Sequence, residues 1–164
     1  TNSFYLFEKI KDYKWPKTYL IGGEFRSITG AFVGGIANST LSKMNFQKSF
    51  IGANGVNGNS IYTYNEDEGY LQSMIFDNSK EKYLVVDSTK IGIEDLYAFY
   101  TLDKVKVITD KKISEKKRMA LKATIGKYDY ILGHLFMFQT INMNVKKKIG
   151  NKTNEQKGGK QYEE

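Results

Sequence analysis

Three apolar runs in this chain break off into small and polar residues, and each break carries groups suited to oxyanions. Thr18-Tyr19-Leu20-Ile21 gives way to Gly22-Gly23-Glu24-Phe25-Arg26. Ser49-Phe50-Ile51 gives way to Gly52-Ala53-Asn54-Gly55, and Tyr83-Leu84-Val85-Val86 to Asp87-Ser88-Thr89-Lys90. In open α/β sheets, ligands gather beyond the carboxyl ends of parallel strands. Loops in that position, holding an Arg, a Lys and exposed backbone amides, would suit an anionic small molecule. Glycine serves a chain that must turn sharply on leaving a strand. Asn and Gly take turn conformations that can aim amides at a ligand oxygen. A lysine at a strand's end acts as a mobile point charge for phosphate. Each motif also reads as plain structure: a turn with an exposed Arg26, a turn at Gly52–Gly55, or a salt bridge from Lys90 to Asp87 or Glu94.

Support for enzyme chemistry is thin. His134 is the single histidine, in a poorly patterned stretch, and a lone histidine is more often packed or exposed than catalytic. Glu68 could act as a carboxylate base, although acids at a helix start usually serve the dipole. Cysteine is absent, no metal ligands cluster, and no Walker or dinucleotide fingerprint occurs. The expectation is no catalytic residue, no metal and no cofactor.

The elements that must position the loops follow from periodicity. Ser3 can cap a helix over Phe4–Lys11 with an apolar stripe of Leu6, Phe7 and Ile10, ended by Trp15-Pro16. Thr18–Ile21 is expected as a strand. Ala31–Met44 reads as a helix with Phe32, Ile36, Leu41 and Met44 inward, weakened by Gly34 and Gly35. Ser49–Ile51, Tyr83–Val86 and Val105–Ile108 are expected strands, and Asn57–Tyr64 a Gly/Asn-rich connection with a short extended piece. Asp67–Asn78 is a helix with Tyr70, Leu71, Met74 and Ile75 apolar, and Asp67 and Glu68 in its first turn. Strand starts fall where parallel crossovers would put them. The fold class is therefore α/β. Ser114 can cap a basic helix over Ser114–Ala123. Tyr128–Val145 shows neither clean period, and Asn151–Glu164 reads as a disordered polar tail.

The chain has 164 residues, enough for one core and too few for two comfortable domains. With 40% hydrophobic and 26% charged residues it falls in the soluble globular class. No stretch approaches the roughly 18–20 apolar residues of a membrane helix, and no signal-peptide pattern is read at the start. A cytoplasmic protein without a membrane partner is expected. The first residue is Thr1, so the chain is expected to be processed or a piece of something longer. The net charge of +7 invites a nucleic-acid reading. Its surplus, however, sits in Lys104–Arg118 and Lys146–Lys160, where lysine runs in polar sequence are usually solvated.

Taken in order, these segments resemble the carboxyl-terminal sensor domain of DeoR-family bacterial transcriptional repressors. The resemblance runs from Thr1-Asn2-Ser3 through YLIGGEFR, TGAFVGGIAN, SFIGANGV, the Asp67-Glu68 pair, YLVVDSTKIG and the VITD ending at Asp110. It implies a Rossmann-like, mainly parallel sheet flanked by helices, similar to ribose-5-phosphate isomerase and glucosamine-6-phosphate deaminase. It implies a phosphorylated sugar as effector, and two stretches look closest to lactose-type members, which respond to tagatose 6-phosphate. The family's pocket positions would fall on Gly23, Glu24, Arg26, Gly52, Asn54, Gly55, Glu68 and Lys90. Operator DNA would be read by an amino-terminal winged helix-turn-helix that this chain does not carry, and the sensor region would mediate homo-oligomerisation. The loop that usually cradles the phosphate would also lie upstream of Thr1. Many members have a lysine where Gln72 stands, and Tyr128–Glu164 follows no family pattern. Residues 1–127 are thus expected to be a partial effector-sensing domain, and 128–164 an unassigned segment. The competing reading is a sugar-phosphate isomerase or deaminase on the same fold, and a third is an assembly domain.

Overall fold

The computed structural model describes residues 1–14, 17–125 and 131–132. Along the chain run α1 (Phe4–Ile10), β1 (Glu24–Arg26), β2 (Ala31–Val33), α2 (Gly34–Leu41), β3 (Phe46–Gly52), β4 (Gly55–Asn57) and β5 (Ser60–Thr63). They are followed by α3 (Glu66–Asp77), β6 (Ser79–Val85), β7 (Tyr97–Thr101), β8 (Lys106–Thr109), α4 (Glu115–Ile125) and β9 (Ile131–Leu132). The main sheet has the order β3-β6-β8-β9, all parallel. A second sheet, β4-β5-β7, is antiparallel, and β1-β2 is a separate hairpin. The α/β class and the parallel crossovers are as the sequence predicts. Ser49–Ile51, Tyr83–Val86 and Val105–Ile108 correspond to β3, β6 and β8, with Phe50 opposite Tyr83 and Tyr83 opposite Lys106. Among the described residues no helix is long and apolar enough to cross a membrane.

Local chemistry explains most element ends. Ser3 caps α1, its hydroxyl accepting from the Leu6 amide at 3.2 Å. Asn65 does the same for α3, accepting from the Glu68 amide at 3.1 Å. Either cap satisfies an amide that the helix itself leaves open. Ser114 stands at the start of α4, its carbonyl accepting from the Arg118 amide at 2.9 Å.

Two apolar clusters hold the layers together. The larger gathers Val56, Ile61, Phe76, Leu84, Val86, Ile91, Phe99, Leu102, Val105, Val107 and Leu121 between the two main sheets, α3 and α4. The smaller joins Val33, Ala37, Leu41 and Leu71, and so fastens the hairpin and α2 to α3. Helix α3 contributes to both, through Phe76 and Leu71. Each such side chain, fully buried, contributes roughly 1.5–3 kcal/mol by leaving water. Phe76 lies against Tyr100 with ring centroids 4.9 Å apart, and the Tyr100 hydroxyl donates to Asp77 at 2.8 Å. Burial, then that bond to a carboxylate, raises the Tyr100 phenol well above its ordinary range.

Several expectations are corrected. Thr18–Ile21 is not a ladder strand. It pairs with no strand among the described residues; its Ile21 N–H donates to the Thr1 carbonyl and the Thr1 ammonium donates to the Tyr19 carbonyl, both at 2.9 Å. Ala31–Met44 is not one helix, because Ala31–Val33 pairs with Glu24–Arg26 as β2. The sequence reading saw small residues and missed two breaks, Gly30 at φ +64° and Gly34 at φ +83°, where a helix cannot run. Gly30 closes the hairpin turn, its amide donating to the Arg26 carbonyl at 2.7 Å. Val33, Ala37 and Leu41 are the buried residues there, whereas Ile36 is 71% exposed and Met44 also faces solvent. The inward face of α3 includes Leu71 and Phe76, while Tyr70 is exposed. Asn57–Tyr64 forms most of the β4–β5 hairpin, and β7 was not foreseen. Helix α1 ends at Ile10, ahead of Trp15-Pro16, which lies outside the described residues together with most of 128–164 and the expected tail.

Candidate functional site

Helix α3 is the spine of the site. Glu68 and Gln72 stand one turn apart on the same side of it. Glu68 is drawn inward: its Oε1 lies 3.5 Å from Arg26 Nη1 and accepts a hydrogen bond from the Thr29 hydroxyl at 2.8 Å. Gln72 Nε2 donates to the Gly52 carbonyl at 3.4 Å, a long bond that nonetheless reaches the loop after β3. The first two turns of α3 therefore tie the β1–β2 hairpin to the carboxyl end of the first parallel strand. Arg26 Nη1 is buried and has no hydrogen-bond acceptor among the described residues, apart from this ion pair.

The second and third loops meet through β4. Gly92 N–H donates to the Val56 carbonyl at 2.7 Å, and Val56 bridges Ile91 in parallel. A Cβ on Gly55 would fall 2.4 Å from the Ile93 carbonyl oxygen, so only glycine permits this approach. Gly52 has no such constraint, since a Cβ there would make an ordinary 3.8 Å contact. After β6 the chain enters a 3-10 turn, Ser88–Lys90, capped by Asp87. The Asp87 carboxylate accepts from the Thr89 amide at 2.9 Å and from the Thr89 hydroxyl, and the Lys90 amide donates to the Asp87 carbonyl at 3.1 Å. Ser88 N–H in turn donates to Asp110 Oδ2 at 2.7 Å, across from the end of β8. Burial opposes ionisation of Asp110, but the amides of Ser88 and Lys112 and the Ser88 hydroxyl outweigh it and hold its carboxyl below the usual carboxylate range.

Of the eight sequence-derived positions, Arg26 and Glu68 are in direct contact, and Gly52 is reached from the same helix through Gln72. Asn54, Gly55 and Lys90 lie on the two neighbouring loops joined by β4. Glu24 stands apart on the exposed side of β1, and Gly23 packs its backbone against Val33 and Ala37. The turn with an exposed Arg26 is not observed: that side chain is mostly buried. The salt bridge proposed for Lys90 is not found among the described residues. Asp87 is occupied by Thr89, and Glu94 accepts from Asn57 Nδ2 at 2.8 Å.

The expected cradle of free amides is corrected. The Asn54 amide donates to the Tyr62 carbonyl at 2.9 Å, and those of Ser88, Thr89 and Lys90 go to Asp110 and Asp87. Amides paired in this way are not open to a ligand. Sequence reading missed Thr29, a hairpin-loop threonine without any motif. It also missed Lys117, whose Nζ donates to the Ser88 carbonyl at 2.9 Å. Asp110 was visible only as the last letter of a motif.

Comparison with known proteins bears on the family. The family described as the DeoR C terminal sensor domain matches residues 1–111. The chain is 44% identical over 109 residues to the lactose phosphotransferase system repressor of Streptococcus mutans, covering 66% of this chain and 43% of that protein. The protein of the same name from Lactococcus lactis is 46% identical over 115 residues, covering 70% of this chain and 45% of the relative. The one from Staphylococcus aureus is 42% identical over 113 residues, covering 69% and 45%. The matched stretch thus spans less than half the length of these relatives. A match over residues 1–111, carried on a parallel α/β sheet, places the chain in the family of DeoR C-terminal sensor domains.

Proposed function

We propose that this chain is the effector-sensing part of a cytoplasmic bacterial repressor of sugar metabolism, and that its effector is a phosphorylated sugar. The observation that carries this reading is the pair of cations at the strand ends. Arg26 has a buried Nη1 whose one partner among the described residues is the Glu68 ion pair, and Lys90 rides on a tightly closed turn. The repressors it is similar to are named for the lactose phosphotransferase system, which supports tagatose 6-phosphate as the effector. Arg26 and Lys90 would hold anionic oxygens, Asn54 and Glu68 the hydroxyls, and Gly23, Glu24, Gly52 and Gly55 the shape of the mouth. Sensing is a population shift: a ligand that binds one arrangement more tightly favours that arrangement by its differential affinity. Operator DNA would be engaged by a part of the protein outside this chain, and the sensor regions would associate as a homo-oligomer.

The experiment is thermal melting of the 164-residue chain with a panel of phosphorylated ketoses and aldoses, tagatose 6-phosphate first. A ligand at a hundred times its Kd adds about 2.7 kcal/mol of stability. Stabilisation by one sugar phosphate, lost in Arg26→Ala and Lys90→Ala, is the expected result. The enzyme reading is served less well, because Glu68, the one acid it needs, is already engaged by Arg26 and Thr29. Turnover of a sugar phosphate, abolished in Glu68→Gln, would establish the enzyme instead.

A further inference from the structure

The turn that carries Lys90 is closed on itself by Asp87. What fixes its place is Ser88, which is buried. Both backbone polar groups of Ser88 have partners from the chain that follows β8. Its N–H donates to Asp110 Oδ2 at 2.7 Å. Its carbonyl accepts from Lys117 Nζ at 2.9 Å. Asp110 is itself anchored by the Lys112 amide, which donates to Oδ1 at 2.7 Å. Lys117 sits on α4, whose Leu121 is buried in the larger core cluster. The two grips have opposite charges and approach opposite ends of one residue, two positions before Lys90.

We propose that Asp110 and Lys117 are positioning residues for Lys90, clamping Ser88 so that the lysine turn is set against the effector mouth, and that α4 is thereby mechanically joined to that mouth. The inference rests on the sensor reading of the site. Its physical basis is that Lys90 reaches its ligand through a flexible stem, so the placement of its backbone decides which oxygen it can meet. Charge-assisted bonds of this kind are short and directional. A loosened turn would leave the lysine's charge intact, but the side chain would have to be ordered on binding, which costs up to roughly tenfold in affinity.

The test uses the full 164-residue chain as wild type, Lys117→Met, Lys117→Arg and Asp110→Asn. Lys117→Met keeps the apolar stem and loses only the donor, so it guards against the case in which Asp110→Asn fails to fold. Affinity for the sugar phosphate that stabilises the wild type is measured by calorimetry, and backbone exchange by mass spectrometry. We expect Lys117→Met to weaken affinity several-fold, up to about tenfold, and to speed exchange at Thr89 and Lys90, while Leu84 and Val85 in β6 exchange as before. Lys117→Arg, which restores a donor, should recover most of both. Equal affinity in wild type and Lys117→Met, or unchanged exchange at residues 88–90, overturns this inference and leaves the sensor reading standing. A wild type that binds no sugar phosphate overturns both.

Discussion

Arg26 Nη1 lies 3.5 Å from Glu68 Oε1, joining the β1–β2 hairpin to the first turn of α3. The same Glu68 oxygen accepts the Thr29 hydroxyl at 2.8 Å, and the Glu68 amide is capped by Asn65. One residue thus links the helix cap, the hairpin loop and the arginine proposed to meet the effector.

Removing one partner of a mostly buried pair leaves the other charge uncompensated. Arg26→Ala and Glu68→Ala should each destabilise the chain by about 2–4 kcal/mol. Glu68→Gln keeps an acceptor for Thr29 and should cost less than Glu68→Ala. Chemical denaturation of the two single variants and the double variant gives the coupling directly. A coupling indistinguishable from zero would show that the pair does not hold the hairpin to α3.

The two glycines of the first loop should behave differently. A Cβ on Gly23 would fall 2.5 Å from the Val33 carbonyl oxygen and 3.2 Å from the Ala37 Cβ, at a backbone φ of +153°. Nothing lies within 4 Å of a Cβ on Gly22. Gly23→Ala should therefore destabilise by about 1–3 kcal/mol, whereas Gly22→Ala should change stability by at most about 0.5 kcal/mol. Equal melting temperatures for the two variants would contradict the packing described for β1 and α2.

The parallel strands were legible because each is a short apolar run with a helical pattern beside it, as in Tyr83–Val86. The hairpin was not, because Ala31-Phe32-Val33 reads equally well as the start of a helix. Only the positive φ of Gly30 and Gly34 decides the matter, and that is a property of the folded backbone. Thr18–Ile21 looked like a strand for a sound reason, its composition, yet a strand also needs a neighbour. At the site, the charged residues could be picked from their loops. Their pairing could not: Glu68 seemed set to serve the helix dipole, and its engagement with Arg26 depends on how the hairpin folds back onto α3. Lys117 carried no motif at all, since a lysine in a basic helix shows no sign of reaching a carbonyl on another loop.

The Asn65 cap offers a local check on α3. Its side chain accepts from the Glu68 amide at 3.1 Å, and replacing such a cap by alanine typically costs about 1 kcal/mol. Asn65→Ala should show that loss, and Asn65→Asp should show little or none, because an acid also caps and favours the positive end of the helix. Circular dichroism melts of the two variants separate the outcomes. Equal loss in both would mean that the side-chain amide, not the oxygen, matters at this position.

Asp110 should make stability depend on pH in acid. Burial favours its neutral form, but the Ser88 and Lys112 amides and the Ser88 hydroxyl prevail and depress its pKa in the folded chain. A depressed carboxyl contributes stability that is fully present above its unfolded value, about 3.9. That contribution is lost as pH falls through the lower, folded value, because protonation then removes the charge that the amides stabilise. At pH 7, Asp110→Asn should cost about 1 kcal/mol, after allowing for solvent screening at this half-exposed site. The gap between wild type and variant should stay constant from neutral pH down to about pH 5 and close below about pH 4, the range set by the ordinary carboxylate value. Denaturation midpoints of both proteins across that range test it. A gap that persists unchanged into strong acid would mean that Asp110 acts through the shape of its side chain and not through its charge, and the clamp on Ser88 would then have to rest on Lys117.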